Sequence, residues 1–219
     1  MKKAIVSFAS GKKHTELLGI SIPSFYRHSE KFNYDLIIPS HNKIKEICNL
    51  FNWDLSREPS WLKIPILKYL LEIENYDLVC WLDSDVVIAK HSEDICKTFC
   101  QSPCIQALTF HQVAGISFSV PNCGVWFLKK DCVSLLNEIW NNENSIDRLW
   151  WEQGSLIDLM FKNQDIFYKT HELDYLYNVH IHDLRFTQNS EKDGIILHAT
   201  MHGDNMANKM KFWIDSQQS

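Results

Sequence analysis

Glycine and proline are scarce, at 7 and 6 of 219 residues, and nowhere do they gather with serine into a linker. Without such a break or an internal repeat, a chain of this length is expected to fold as one domain over residues 1–219. No run approaches the roughly 18 consecutive apolar residues of a membrane-spanning helix. The apolar stretch after Lys2 and Lys3 is too short for a signal peptide, so a cytoplasmic protein is expected. Paired Cys-x-x-Cys spacing is also missing. Seven cysteines, an odd number, favour free thiols in a reducing compartment. Cys96, Cys100 and Cys104 recur every four residues, but Pro103 breaks their helix and no histidine stands at ligand spacing, so a zinc site is not expected. Basic residues are outnumbered, 22 against 27 acidic, for a formal charge of −5. That balance argues against a nucleic-acid binder while leaving room for a local phosphate pocket.

What the chain does have is an unbroken apolar run, Leu78-Val79-Cys80-Trp81-Leu82, closed by Asp83-Ser84-Asp85. Five apolar residues bounded by carboxylates predict a short strand buried on both faces, as in the middle of a parallel sheet. Ligands of open α/β sheets bind beyond the carboxyl ends of strands, where these two aspartates would sit. Two carboxylates this close repel unless a cation or a shared proton offsets them. A hard divalent ion bridging to a diphosphate is the economical answer, since Mg²⁺ takes one or two protein carboxylates plus phosphate oxygens. A plain polar turn after a strand is the other reading of the triplet.

Around this run, helix and strand signals alternate. Strands are expected over residues 4–9, 36–38, 78–82, 86–88, 104–110, 125–128 and 194–197. Helices are expected from Thr15 as a cap to a kink or end near Pro23, over residues 44–51, from Ser60 with Pro65 in the first turn, from Asp131, and over residues 150–161. This alternation predicts an α/β fold with a mixed, mainly parallel central sheet flanked by helices.

Four further stretches carry site chemistry. Trp61-Leu62-Lys63-Ile64-Pro65, with Lys68, offers ammonium groups to a phosphate or to solvent. In Pro121-Asn122-Cys123-Gly124, Asn122 can both donate to and accept from hydroxyls, and Gly124 permits close backbone approach to a ligand; a turn suits the pattern equally. Trp150-Trp151-Glu152-Gln153 joins two flat aromatics, suited to a sugar face, to polar groups at a helix start. In Ile196-Leu197-His198, followed by His202, Gly203 and Lys209, a histidine ends a strand-like run and could be a third metal ligand.

Taken in order, these signals resemble the metal-dependent nucleotide-sugar glycosyltransferases of the GT-A fold, in particular the galactosyl-, mannosyl- and xylosyltransferase group and its glycogenin-like relatives. The resemblance runs from the first strand to about Lys209. It implies a nucleotide-binding half over about residues 1–90 and a sugar and acceptor half over about residues 91–219. It also implies a hexosyl- or pentosyltransferase using Mn²⁺ or Mg²⁺, a nucleotide-diphosphate sugar and a carbohydrate or glycoconjugate acceptor, with retention of configuration. Asp83 and Asp85 match the Asp-x-Asp motif and His198 the late histidine that completes the metal shell. The resemblance places Ala9, Ser10, Lys63, Asp83, Ser84, Asn122, Gly124, Gly203 and Lys209 around the donor. Gln153 matches a polar residue near the anomeric carbon, and Glu152 stands where an aspartate is often found. The late pattern departs from His-x-x-Gly-x-x-Lys, because His198 lies five residues before Gly203 and His202 directly precedes it. Either histidine could therefore meet the metal. An inverting reaction would need a general base, for which Glu152 is the candidate.

Two alternatives compete. Asp83-Ser84-Asp85-Val86-Val87 also resembles the opening motif of haloacid dehalogenase-like phosphatases, in which the first aspartate is a nucleophile. Those enzymes carry the motif on an early strand and a late Gly-Asp-x-x-x-Asp, whereas Gly203-Asp204 here is followed by Asn208. The second alternative is a non-catalytic nucleotide-sugar-binding protein.

Overall fold

The computed structural model describes residues 1–146, 150–187, 189–200 and 203–216, the side chain of Asp204 excepted. In chain order the elements are β1 (Lys3–Val6), α1 (Gly11–Phe32), β2 (Asp35–Ile37), α2 (His41–Phe51), α3 (Lys63–Glu72), β3 (Leu78–Leu82), β4 (Val86–Ile88), α4 (Lys97–Gln101) and β5 (Gln106–His111). There follow β6 (Val120–Lys129), α5 (Val133–Asn141), α6 (Trp151–Lys162), α7 (Gln164–Tyr168), β7 (Thr170–Glu172), α8 (Ser190–Asp193), β8 (Ile196–His198) and α9 (Met206–Asp215). Six strands form one sheet in the order β2-β1-β3-β6-β5-β7, and β4 pairs with β8 in a separate two-stranded ribbon. Within the large sheet only β6 runs against its neighbours, so the expected mainly parallel α/β architecture is present.

The apolar run becomes β3, buried along its whole length between β1 and β6. On one side Val79 and Trp81 pack with Trp61, Ile64, Leu67 and Leu71 of the α3 region. On the other, Cys80 and Leu82 meet Phe25, Val86 and Phe127. Each such aliphatic or aromatic side chain contributes about 1.5–3 kcal/mol on leaving water, so the carboxyl end of β3 is firmly anchored.

Local signals fail where tertiary packing overrides them. Pro23 does not end α1, which continues to Phe32. Pro23 and Gly19 lie on the exposed face, so the carbonyl that proline leaves unbonded can reach water. The opposite face keeps Leu17, Leu18, Phe25 and His28 buried. Thr15 is not the cap either; the helix begins at Gly11, and the Thr15 hydroxyl donates to the Gly11 carbonyl at 2.9 Å. Pro121-Asn122-Cys123-Gly124 is strand rather than turn, inside β6. The seven cysteines are free, and Cys96 immediately precedes α4, a helix of only five residues that ends before Pro103.

Candidate active site

The geometry of the site follows from two pairing registers. Asp83-Ser84-Asp85 is the turn by which the chain leaves the large sheet at the end of β3 and enters the ribbon at β4. In that ribbon Val86 stands opposite His198, and the Ala199 amide donates to the Asp85 carbonyl at 2.8 Å. The register thus delivers His198 to Asp85 across 113 residues of sequence. From the other side, the β5–β6 pairing slips at Leu108/Thr109, and the Gly124 carbonyl there accepts the Asp83 amide at 2.8 Å. An irregularity of this kind re-aims side chains beside a site.

Asp83, Asp85 and His198 each bring a ligand atom to within 4.8 Å of the others, the grouping among the described residues able to hold a metal ion. His198 Nε2 lies 3.3 Å from Asp85 Oδ1. Burial works against both charges, but their mutual attraction outweighs it, so the Asp85 carboxyl is held below the usual carboxylate range and His198 above the usual imidazole value. Asp83 is more open. Its Oδ1 accepts Trp81 Nε1–H at 2.6 Å and Lys63 Nζ at 3.2 Å, and among the described residues no hydrogen bond engages Oδ2. The donor set, two carboxylates and an imidazole, fits a divalent ion that also takes phosphate oxygens. His202 lies outside the described residues.

Together these residues line a cavity of about 630 Å³, a size suited to a small-molecule ligand. Of the positions expected around the donor, Ala9, Ser10, Lys63, Asp83, Ser84, Asn122 and Gly124 line it, as do Glu152 and Gln153. Gly203 and Lys209 are not in its wall. The Lys209 ammonium is instead paired at 2.7 Å with Glu191, at the start of α8. Trp150 and Trp151 also border the cavity, Trp151 at 45% exposure; both have positive φ, +70° and +46°, a backbone region costly for bulky side chains.

Lys63 and Glu152 differ from expectation in how they are engaged. Lys63 is only 4% exposed and donates to Glu152 Oε1 at 2.9 Å, Asp83 Oδ1 at 3.2 Å and the Cys123 carbonyl at 3.1 Å. All three N–H groups are committed, so the ammonium neutralises its neighbours and has no proton left for a phosphate. Burial opposes its charge, yet Asp83 and Glu152 outweigh that and push its pKa up. Glu152 is equally buried; desolvation raises its pKa despite Lys63, and its Oε2 has no hydrogen-bond partner among the described residues. Gln153 Oε1 accepts the Cys123 amide at 3.1 Å, which leaves its NH₂ group available.

Gly124 also makes room within the protein: a Cβ there would stand 2.4 Å from His198 Cε1, so the imidazole occupies the space beside its Cα. The structure adds residues that sequence reasoning missed. His14, His111, His180 and His182 line the cavity, and His14 Nδ1 meets the Ser84 hydroxyl at 3.1 Å. Ten histidines, with His180-Ile181-His182 close together, were the available hint. Asn178, fully buried behind His198, had none.

Neither a protein-family model nor a curated protein sequence matches the chain. Solved structures do. A glycosyltransferase involved in the glycosylation of the major capsid of PBCV-1 superposes with a TM-score of 0.72 at 16% identity, over 96% of this chain and 100% of that one. The glycosyltransferase GlyE of Streptococcus pneumoniae TIGR4 gives 0.59 at 14%, over 100% and 61% of the two chains. The galactosyltransferase LgtC gives 0.55 at 11%, over 98% and 95%. At such identities the common property is the fold, and this chain has the α/β fold of the GT-A glycosyltransferases.

Proposed function

We propose that this protein is a metal-dependent glycosyltransferase, which moves a hexosyl or pentosyl group from a nucleotide-diphosphate sugar to an acceptor hydroxyl. The carrying observation is the convergence of Asp83, Asp85 and His198 at the carboxyl end of β3, inside a cavity of suitable size. The kinship of fold with glycosyltransferases supports it. In this reading Asp85 and His198 hold Mn²⁺ or Mg²⁺, and Asp83 joins them or meets the donor ribose through Oδ2. The bound ion supplies Lewis-acid stabilisation of the negative charge that grows on the departing nucleoside diphosphate.

The chain's own residues then position the partners. Ala9 and Ser10 border the nucleotide side of the cavity, and Gln153 presents its amide to the sugar. Trp150 and Trp151 offer flat apolar faces to the transferred sugar or the acceptor. Glu152, the candidate base for inversion, is tied to Lys63 and buried, which supports retention. Seven free cysteines support a reducing, cytoplasmic setting.

Purified protein incubated with a panel of nucleotide sugars and Mn²⁺ is expected to release nucleoside diphosphate slowly, and a chelator is expected to stop it. Asp85→Ala should lower the rate by about a hundred- to a thousandfold, the scale of a lost charge-stabilising group, with Tm within a few degrees of the parent. Full activity in that variant or in chelator overturns the metal role. Cleavage of simple phosphomonoesters instead points to the phosphatase, and binding of the nucleotide sugar without turnover points to a binding protein.

A further inference from the structure

His198 has two ring nitrogens, and only one can face the carboxylates. Its Nδ1 lies 2.9 Å from Asn178 Oδ1, Asn178 Nδ2 donates to Asn122 Oδ1 at 3.0 Å, and that same Asn122 oxygen accepts the Gly124 amide at 2.8 Å. The direction of every link follows from the last one. A backbone N–H can only donate, so the Asn122 atom facing Gly124 must be oxygen. An oxygen there must receive an N–H from Asn178, which turns the Asn178 oxygen toward His198. His198 Nδ1 must then carry a proton, and the lone pair of the neutral ring is left on Nε2, the nitrogen beside Asp85. Amide orientations are ordinarily ambiguous; here one main-chain proton resolves two of them and a tautomer.

Position as well as polarity is built in. Asn178 is 0% exposed and is the residue before Val179, whose amide donates to the Ile196 carbonyl at 3.0 Å and whose carbonyl accepts the His198 amide at 2.9 Å. The bare Cα of Gly124 lets the His198 ring lie against β6 at the end of this chain of bonds. Ligating histidines almost always donate their second ring N–H to a fixed acceptor, and removal of that acceptor typically weakens metal binding 10–100-fold.

We propose that Asn178 is a positioning residue for the metal centre: it relays the polarity of the Gly124 amide, through Asn122, to hold His198 as the Nδ1–H tautomer with Nε2 free to ligate. Asn122 thereby belongs to the scaffold of the site. The inference rests on the metal reading above for its functional consequence, but not for its structural content.

Two measurements test it. In metal-free parent protein, brought to a pH high enough that the His198 ring is neutral, long-range ¹H–¹⁵N NMR should find the single ring proton on Nδ1; a neutral ring with its proton on Nε2 overturns the relay and needs no variant. Mn²⁺ titration followed by EPR of the free ion should show Asn178→Ala weakened about 10–100-fold with little change in Tm. Asn178→Asp retains an oxygen for Nδ1–H and should bind Mn²⁺ within a few-fold of the parent. A merely structural role predicts the reverse ranking, because aspartate adds a buried charge. Parent-like Mn²⁺ affinity in folded Asn178→Ala also overturns the inference. If the parent binds no Mn²⁺, the metal reading fails, while the NMR result on the same sample still decides the relay.

Discussion

Two corners of one cavity use the same kinds of residue for opposite ends. At one, Asp85 and His198 face each other, and their ligand atoms and a carboxylate oxygen of Asp83 converge within 4.8 Å. At the other, Lys63 spends its three N–H groups on Glu152, Asp83 and the Cys123 carbonyl. The first corner keeps lone pairs directed at a common point, while the second has cancelled its charge internally. Asp83 belongs to both, through the cluster with Asp85 and His198 and through its bond from Lys63. The lesson is that a buried charge near a ligand site is not by itself a ligand-binding group; what matters is whether its hydrogen-bonding capacity is already used.

The largest effect should come from breaking the closed corner. Lys63→Met strands the buried Glu152 carboxylate and removes a partner of Asp83, and losing one partner of a buried ion pair typically costs about 3–5 kcal/mol. At about 2–4 °C per kcal/mol for a chain of this size, Tm should fall by roughly 10 °C. Adding Glu152→Gln to that variant should restore part of the loss, since it removes a carboxylate whose pKa is already raised by burial. An unchanged melting temperature in Lys63→Met would mean that the ammonium is not neutralising the corner.

A smaller, more selective effect is expected at the open corner. In Gly124→Ala the added methyl meets His198 Cε1 at 2.4 Å, so the ring must shift from its present position beside Asp85. Mn²⁺ affinity should drop by about tenfold or more, the scale of a disturbed metal-ligand support, while the thermal melt shifts only a few degrees. Parent-like affinity would show that the ring tolerates displacement and that the register alone suffices.

The smallest effect concerns buried histidines in a different setting. His198 is held above the usual imidazole value because Asp85 outweighs burial, whereas His28 and His91 are lowered to about 4. At His28 burial is the main cause, His91, Lys3 and Lys31 add to it, and Asp94 opposes. At His91 burial again leads, with Arg27 and Lys31 adding. For these two groups the unfolded chain takes up protons near pH 6.5 and the folded protein only near pH 4. Their contribution to stability is therefore full above pH 6.5 and lost as pH falls toward 4. At pH 5 the loss is about 1–2 kcal/mol per group, a few degrees in Tm, and His28→Gln should flatten that slope between pH 7 and 5. An equally steep slope in the variant would move the effect elsewhere.

Much of this was legible in one dimension. A five-residue apolar run needs no partner to declare itself a buried strand, and the acidic turn after it follows from chain order alone. His198 was visible because it ends an apolar run and closes a pattern shared with a known fold. Lys63 and Glu152 were visible as charges, but not as a closed pair, because their contact joins two helices 89 positions apart. Pro23 misled because a local rule about helices cannot see that one face of α1 is open to water.

Composition, periodicity and the order of motifs therefore determined the α/β class, the strand that carries the two aspartates and the set of groups available to a cation, since these depend on neighbours along the chain. Which of those groups still have lone pairs to offer, why position 124 excludes a side chain, and how Asn178 orients an imidazole were decided only by tertiary structure. Hydrogen bonds are directional and each donor is spent once, so their assignment depends on pairings between strands, loops and helices that no local stretch of sequence contains.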